Sequence, residues 1–525
     1  MKKTLLFLLL AVCFAAEAQT IQVNGEQSGV WDADTVRVVG DVTVGRSLRV
    51  MPGTLVLFEG FYSISIGKNA LFVAQGTEAD SVVFTVADTT GFSLYDQGKG
   101  GWNGFHLERA GRFLLEYCLL QYGKAADPKD RFGGALNVSF CKDVDIRNTT
   151  FRCNFSRENG GAIYGIDSKL TMKDCSISDN LVYTKDGTYA MYGGGACFLR
   201  CDVSMTGMEF RGNIGESCIG GALSLDSCSL VLDRSVFADN IGINGGGLYL
   251  IRSNHKECSM SNLLFDDNFT GHFGGGFAVA DSSPKISNVL VINNKSYGVS
   301  CNGIFFYGES SPVLRNCIVY GNYPDPEFQH TDTTEMWDWT YEGFAPEFYN
   351  CLIEGDLSYF HLADGIPPVM KNIIDADPMF VDAENHDFHI AEGSPCINAG
   401  DPNTPQYVLD GKDLDGWYRV SNQCIDIGPY EYSGATVSEH ATAPFAKLVG
   451  NPLHAQSRIE FDEAVKGEVE LSVYAITGRC VAQEVNRLGG SRTLAIGDLM
   501  ERLSAGVYLL EIKSGDKVCT LKAVK

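Results

Sequence analysis

One short pattern recurs nine times between Phe113 and Asp356. Each copy runs apolar, any, apolar, two of any, small or apolar, any, apolar, two of any, and usually closes on Asn. It reads Val144, Ile146, Thr149, Phe151, Asn154, and again Leu230, Leu232, Ser235, Phe237, Asn240. Consecutive copies end 26 to 34 residues apart. A repeat of that length is one supersecondary unit that cannot bury its apolar face alone, so neighbours must stack. Within a copy the apolar spacing is two, then three, then two. Spacing two is a strand showing alternate residues to one side, and the step of three is a corner between strands. The three-and-four spacing of a helical solenoid is absent.

The fourth apolar column is filled in every copy, by Leu120, Phe151, Ile177, Phe210, Phe237, Phe265, Val291, Val319 and Ile353. A continuous internal stack needs such a column. The closing Asn suits a tight bend, because Asn tolerates the left-handed region and its amide bonds locally. Two arrangements fit these letters: independent turn asparagines, or asparagines stacked into an amide ladder. Glycine clusters follow most copies, as at Gly160–Ile163 and Gly220–Leu223. Paired glycines permit backbone closed to other residues. They predict another corner, ahead of a third strand such as Ala135–Val138 or Leu223–Leu225. Three strands and three corners per turn predict an all-β chain built as a right-handed parallel β-helix.

These residues also carry a resemblance. Gly-Gly-Ala-Ile or Gly-Gly-Ala-Leu, followed by Phe151–Asn154 or Phe237–Asn240, resembles the repeats of polymorphic outer-membrane proteins and related secreted β-helix proteins. The fold implied is the pectate-lyase-like solenoid. Arg49–Phe58 and Gly101–Glu108 resemble the opening turns of secreted bacterial β-helices. Residues 19–112 are therefore expected to form the N-terminal cap and first turns, and 113–374 the repeats. A solenoid needs an atypical cap to hide its first apolar layer.

Residues 1–18 read as a secretory signal peptide: Lys2 and Lys3, the apolar run Leu5–Ala16, then a cleavage site after Ala18. Residues 375–432 resemble the closing segment of surface-anchored β-helix proteins of the choice-of-anchor type. The matching residues include Asp377, Phe380, Phe388, Asp413, Asp415, Gly416, Arg419, Asp426 and Glu431. Residues 433–446 read as a linker. Residues 447–525 resemble a type IX secretion sorting domain, a small β-sandwich. They match it at Asn451, Tyr474, Gly506, Val507, Tyr508, Lys522 and Lys525. That resemblance implies the type IX translocon as a partner, a secreted or outer-membrane-attached location, and linkage to surface lipopolysaccharide.

The net charge is −24, and the tail beyond residue 440 is close to neutral, so the acidity belongs to the main body. An acidic body argues against nucleic acid and anionic membranes as partners. Capped ends favour a monomer. Of 17 cysteines one lies in the signal peptide, and the remaining even number invites disulfides in an exported chain. Cys118, Cys175, Cys317 and Cys351 share one column, however, which favours internal stacked thiols for most. Cys317 and Cys351 fall on neighbouring rungs, within disulfide reach.

Two functional readings compete. The first is adhesion or display, with a polysaccharide or host glycan as ligand. Its candidate residues are Trp337, Trp339, Tyr341 and Phe344, in an insertion at 323–345 expected to emerge as a loop. Tyr183, Tyr189 and Tyr192 form a weaker cluster in a second insertion. The alternative is a polysaccharide lyase or glycoside hydrolase working along the groove. Its candidates are the outward charges Asp143, Asp145, Arg147, Lys173, Asp174, Asp233 and Arg234, which otherwise form a solvated face. No cofactor is expected. A calcium site at Asp410, Asp413 and Asp415 competes with a plain turn.

Overall fold

The computed structural model describes residues 19–127, 131–183, 191–215, 218–297, 301–323, 336–355, 360–362, 367–401, 404, 411–419, 425–432, 446–449, 457–475, 480–496, 507–514 and 517–524. Residues 1–18, expected to be a signal peptide, lie outside them. The chain divides into two units, Met1–Tyr432 and Ser433–Lys525.

The first unit is a parallel coil. Thirty-two strands between Thr20 and Lys371 form one continuous sheet in which each strand pairs with its equivalents on the turns before and after. In a typical turn Leu136–Ser139 leads through a corner to Val144–Arg147 and through a second corner to Thr150–Arg152. The predicted internal column is in register. Phe151 pairs with Leu120 and Ile177, Phe210 with Phe237, and Phe265 with Val291. All nine members are buried. The rings of Phe210, Phe237 and Phe265 stack at 4.6 and 4.8 Å between centroids. Three corners per turn is an undercount. A fourth, very short strand follows the repeat, as at Phe155–Ser156 and Leu181–Val182, and these pair in a second, smaller sheet.

The closing asparagines form a ladder. Nδ2 of Asn154, Asn180, Asn213, Asn240, Asn268 and Asn294 each donates to Oδ1 of the next asparagine at 2.8–2.9 Å, ending on Asn322. Each Oδ1 also accepts the backbone N–H of the asparagine one turn earlier, as Asn240 does from Asn213 at 3.0 Å. The left-handed residue at this bend is the one before, for instance Asp179 or Asp239 at φ 55° and 57°. The ladder asparagine therefore holds the bend by its side chain, not by its φ.

The two glycines of each cluster do different jobs. Gly220 has φ 79°, which a Cβ would strain. Gly221 has an ordinary φ, but a Cβ there would lie 2.1 Å from the Gly246 carbonyl oxygen of the next turn.

The first rung is built differently from the rest. Thr20–Trp31 pairs with Thr35–Val50 along its whole length, with register shifts between Val23 and Gly25 and between Gln27 and Gly29. Opposite the buried Val42, Val44 and Leu48 it places Gly25, Gln27 and Gly29. The inward layer is thus thinned to glycine and a polar side chain at the end, and Trp31 covers the last position, 3% exposed.

The described residues of 375–432, a segment expected to close the coil, lie along its flank. The outward side chains of the third strand turn apolar in the later turns, at Leu264, Leu290, Ile318 and Leu352. They are covered by Phe388, Ile390, Cys396 and Ile427. The second-corner residues Asn262, Asn288, Asn316 and Asn350 all have left-handed backbone, and all four use their side chains to hold the flank. Asn288 Nδ2 donates to the Asp426 and Gly428 carbonyls, and Asn350 Nδ2 to the Ala399 carbonyl. Asn316 Oδ1 accepts the Asp401 N–H, and Asn262 Oδ1 accepts Arg419 Nε, each at 2.6 Å. Arg419 is enclosed and also donates to Glu431 at 3.0 Å and to the Pro429 carbonyl at 2.7 Å. Burial pushes the Glu431 carboxyl up to about 8, against the pull of Arg419.

The second unit is antiparallel. Ala446–Val449, Arg458–Ala475, Cys480–Ala495, Val507–Ser514 and Lys517–Val524 form one sheet over a core of Ile459, Val469, Leu471, Leu510 and Ile512.

Candidate functional site

The outer face of the first strand changes character along the coil. Its outward positions mix polar, small and aliphatic residues with single aromatics such as Tyr164 and Tyr249 in the middle turns, and are aromatic at both places in the turns that begin at Ile304 and Met336. In the strand Ile304–Gly308, Phe305 and Tyr307 point outward while Ile304 and Phe306 enter the core. The next turn supplies Met336–Thr340, paired so that Trp337 lies beside Phe305 and Trp339 beside Tyr307. This corrects the reading of 323–345 as a loop, because residues 336–340 are a full rung with Met336 buried inside. Residues 324–335 and the Trp337 side chain lie outside the described part of the structure.

Trp339 packs against Phe273 at 5.3 Å and Phe305 at 6.0 Å, and Phe273 stacks on Phe305 at 4.7 Å. Tyr341 follows the strand and meets Tyr307 edge-on at 5.8 Å, with the two hydroxyls 3.3 Å apart. Tyr341 is 51% exposed and Tyr307 37%, so the strip has an open end and a packed base. Phe344 is half-buried, and its N–H closes a turn on the Tyr341 carbonyl. The structure thus joins Trp339 and Tyr341 to Phe273, Phe305 and Tyr307, which the sequence reading passed over. Their signal was alternation: Phe305 and Tyr307 flank the inward Phe306.

Phe273, Phe305, Tyr307 and Trp339 lie on strands and Tyr341 directly follows one, so the rings are positioned by the coil. Its surroundings are negative. The hydrogen bond with Tyr307 raises the Tyr341 hydroxyl above its ordinary value, and the carboxylates of Asp281 and Glu309 push the same way.

The charged candidates scatter. Arg147 clasps Asp145 at 2.9 and 2.5 Å, while Lys173 and Asp174 approach to 3.8 Å and Arg112 and Asp143 to 4.0 Å. Asp233 stands at an outward position but is covered. It is fully enclosed, accepting from Ser261 Oγ and Asn262 Nδ2 at 2.7 Å, with Arg234 beside it at 3.4 Å. An open groove at the second corner is lined by Tyr117, Asn148, Thr150, Asp174 and Glu209. Tyr183 of the second insertion packs near Tyr95, 5.5 Å between rings, and residues 184–190 lie outside the described part.

The aspartates proposed for calcium are used separately. The Asp413 carboxylate accepts the N–H groups of Trp417 at 2.7 Å and Glu431 at 3.1 Å. Asp415 accepts from His389 at 2.7 Å. Asp410 lies outside the described residues. Among the described residues no three His, Cys, Asp or Glu side chains converge as a metal site. His389 is held between Asp415 and Asp387, which raise it to about 9, and it packs on Tyr430 at 4.3 Å.

In the second unit Val507–Ser514 and Lys517–Val524 form a hairpin that pairs Val507 with Val524 and Leu509 with Lys522. Of the residues expected to carry the sorting signal, Tyr508 pairs with Ala523, and Gly506 and Lys525 fall outside the described residues.

Comparison with known families agrees with this geometry. Residues 99–289 match the family model described as right handed beta helix region. Residues 450–525 match that described as secretion system C-terminal sorting domain. A search of curated proteins finds no match. The chain is a right-handed parallel β-helix carrying a type IX sorting domain, which directs secretion and attachment at the cell surface through the type IX system.

Proposed function

We propose that this exported β-helix is a surface display protein that binds glycan through the strip Phe273, Phe305, Tyr307, Trp339 and Tyr341. The observation that carries the reading is the graded exposure of these rings on successive rungs: packed at the base, open at Tyr307 and Tyr341. Aromatic faces bearing hydroxyls offer sugar rings a flat apolar surface and hydrogen bonds together. The neighbouring carboxylates favour neutral over polyanionic chains. Attachment to surface lipopolysaccharide would present the strip outside the cell.

The test is binding of the purified exported protein to neutral and acidic polysaccharides, with turnover followed in the same samples. Trp339→Ala and Tyr341→Ala are each expected to weaken binding to a neutral glycan by about tenfold, the scale of one aromatic contact. Unchanged binding in both variants sinks the assignment to this strip. Shortened or unsaturated products would instead establish an enzyme.

A further inference from the structure

Thirteen cysteines have described side chains, and of these all but Cys153 are buried. The corner cysteines Cys118, Cys141 and Cys175 are followed on the next rung by Thr149, Ser168 and Met208. Two other pairs differ. Cys201 and Cys228 occupy the same corner on consecutive rungs, directly ahead of the paired residues Asp202 and Ser229. Cys317 and Cys351 occupy the second corner on consecutive rungs, directly ahead of the paired Ile318 and Leu352.

The Cys201 N–H points at Cys228 Sγ at 3.3 Å, and the Cys317 N–H at Cys351 Sγ at 3.4 Å. Both side chains of a pair enter the coil from backbones one strand spacing apart, about 4.8 Å. That separation lies inside the Cα range a disulfide spans, roughly 4.4–6.8 Å.

Serine fills the same column elsewhere with the same bond. The N–H of Cys141 donates to Ser168 Oγ, and that of Ser253 to Ser282 Oγ, each at 2.9 Å. Corner hydrogen bonding therefore does not require sulfur. Where adjoining rungs both carry it, sulfur adds the capacity for a covalent link. The chain is exported, and export leads through an oxidising compartment.

We propose that Cys201–Cys228 and Cys317–Cys351 are modification sites, oxidised to two rung-to-rung disulfides in the exported protein. In each, one cysteine thiolate attacks the disulfide of a thiol oxidoreductase and forms a mixed disulfide. The partner cysteine then displaces the oxidoreductase, closing the intrachain S–S bond. The oxidoreductase leaves as a dithiol with the two electrons and two protons. The folded coil encloses all four sulfurs, so exchange precedes closure of these rungs. The Cys317–Cys351 bridge ties together two consecutive second corners, between which the chain passes through the strand Met336–Thr340.

The experiment uses the full chain recovered from an exporting cell, denatured with an alkylating agent and no reductant, then digested and mapped. Cys201, Cys228, Cys317 and Cys351 are expected unalkylated and joined in those pairs, while Cys118, Cys141 and Cys175 are alkylated. Reduction before alkylation should make all four reactive. Cys201→Ser should release Cys228 alone, and Cys351→Ser should release Cys317 alone. Full alkylation of the four without reductant, or joining in another pairing, overturns the proposal. A single bridge overturns it for the other pair.

Discussion

Replacing Asn213 with alanine should unfold the coil far more easily than loss of an ordinary turn residue. Asn213 Nδ2 donates to the Ile177 carbonyl at 2.8 Å and to Asn240 Oδ1 at 2.9 Å. Its Oδ1 accepts the Asn180 N–H at 3.3 Å and Asn180 Nδ2 at 2.9 Å. After truncation Asn180 Nδ2 keeps the Phe151 carbonyl, and Asn240 Oδ1 keeps the Asn213 N–H. The Asn180 N–H loses its acceptor and the Ile177 carbonyl loses this donor, both in a site closed to water. A stranded buried group costs about 1–3 kcal/mol, so the variant should lose about 3 kcal/mol. The left-handed residue here is Gly212, so if Asn213 were only a turn former, alanine would cost a few tenths of a kcal/mol, roughly the scale of an ordinary surface substitution. The assay is urea unfolding followed by tryptophan fluorescence. All five tryptophans precede residue 432, so the signal reports the first unit, coil and flank together, and not the second. The midpoint should fall with little change in slope. A loss below about 1 kcal/mol would refute the ladder as a stabilising element.

Gly221→Ala drives a Cβ to 2.1 Å from the Gly246 carbonyl oxygen, and the backbone stack has no flexible atom to yield. It should cost about 3 kcal/mol or more and lower the yield of soluble protein; a melting temperature within a degree or so of wild type would contradict this packing. Arg419→Met leaves Glu431 and Asn262 Oδ1 without their buried donor, at a cost of about 3–5 kcal/mol. Limited proteolysis should then cut 375–432 before the coil, and an unchanged cleavage rate would show that the flank is held otherwise. His389 has its value raised from 6.5 to about 9, first by Asp415 and then by Asp387. A raised value means the folded state holds the proton more tightly. Its contribution is therefore complete below pH 6.5 and lost as pH rises through about 9. The site is half-exposed, so the loss should stay near 1 kcal/mol or less. Asp415→Asn should return the His389 titration, read by NMR, toward 6.5; an unmoved titration would exclude Asp415 as the cause.

The coil was legible because each of its demands is met one residue at a time, at fixed spacing. The Phe151 column, the ladder asparagines and the glycine pairs each answer to one neighbour above and one below. The flank was not legible in the same way. Asn262, Asn288, Asn316 and Asn350 look like corner residues, and their second role appears only when 375–432 is laid against them. Leu264 and Leu290 stand at outward positions, where an apolar residue reads as noise until its cover is known. The rung 336–340 was hidden for another reason. Asp338 occupies an inward position, so the alternation that marks a strand fails at its centre. Trp339 and Tyr341 were visible as aromatics, but the strip they join is a property of neighbouring turns.

A coil of this kind is a template for its own elongation, since any open rung offers a row of unpaired N–H and C=O groups to the next. A host secreting many copies would face filaments growing end on end. The strand Thr20–Trp31 answers that hazard. Its two register shifts and the left-handed Gly25 and Gly29, at φ 65° and 92°, break the straight line on which another chain would crystallise. A protein built by stacking identical layers thus carries its own stop codon, written in backbone geometry.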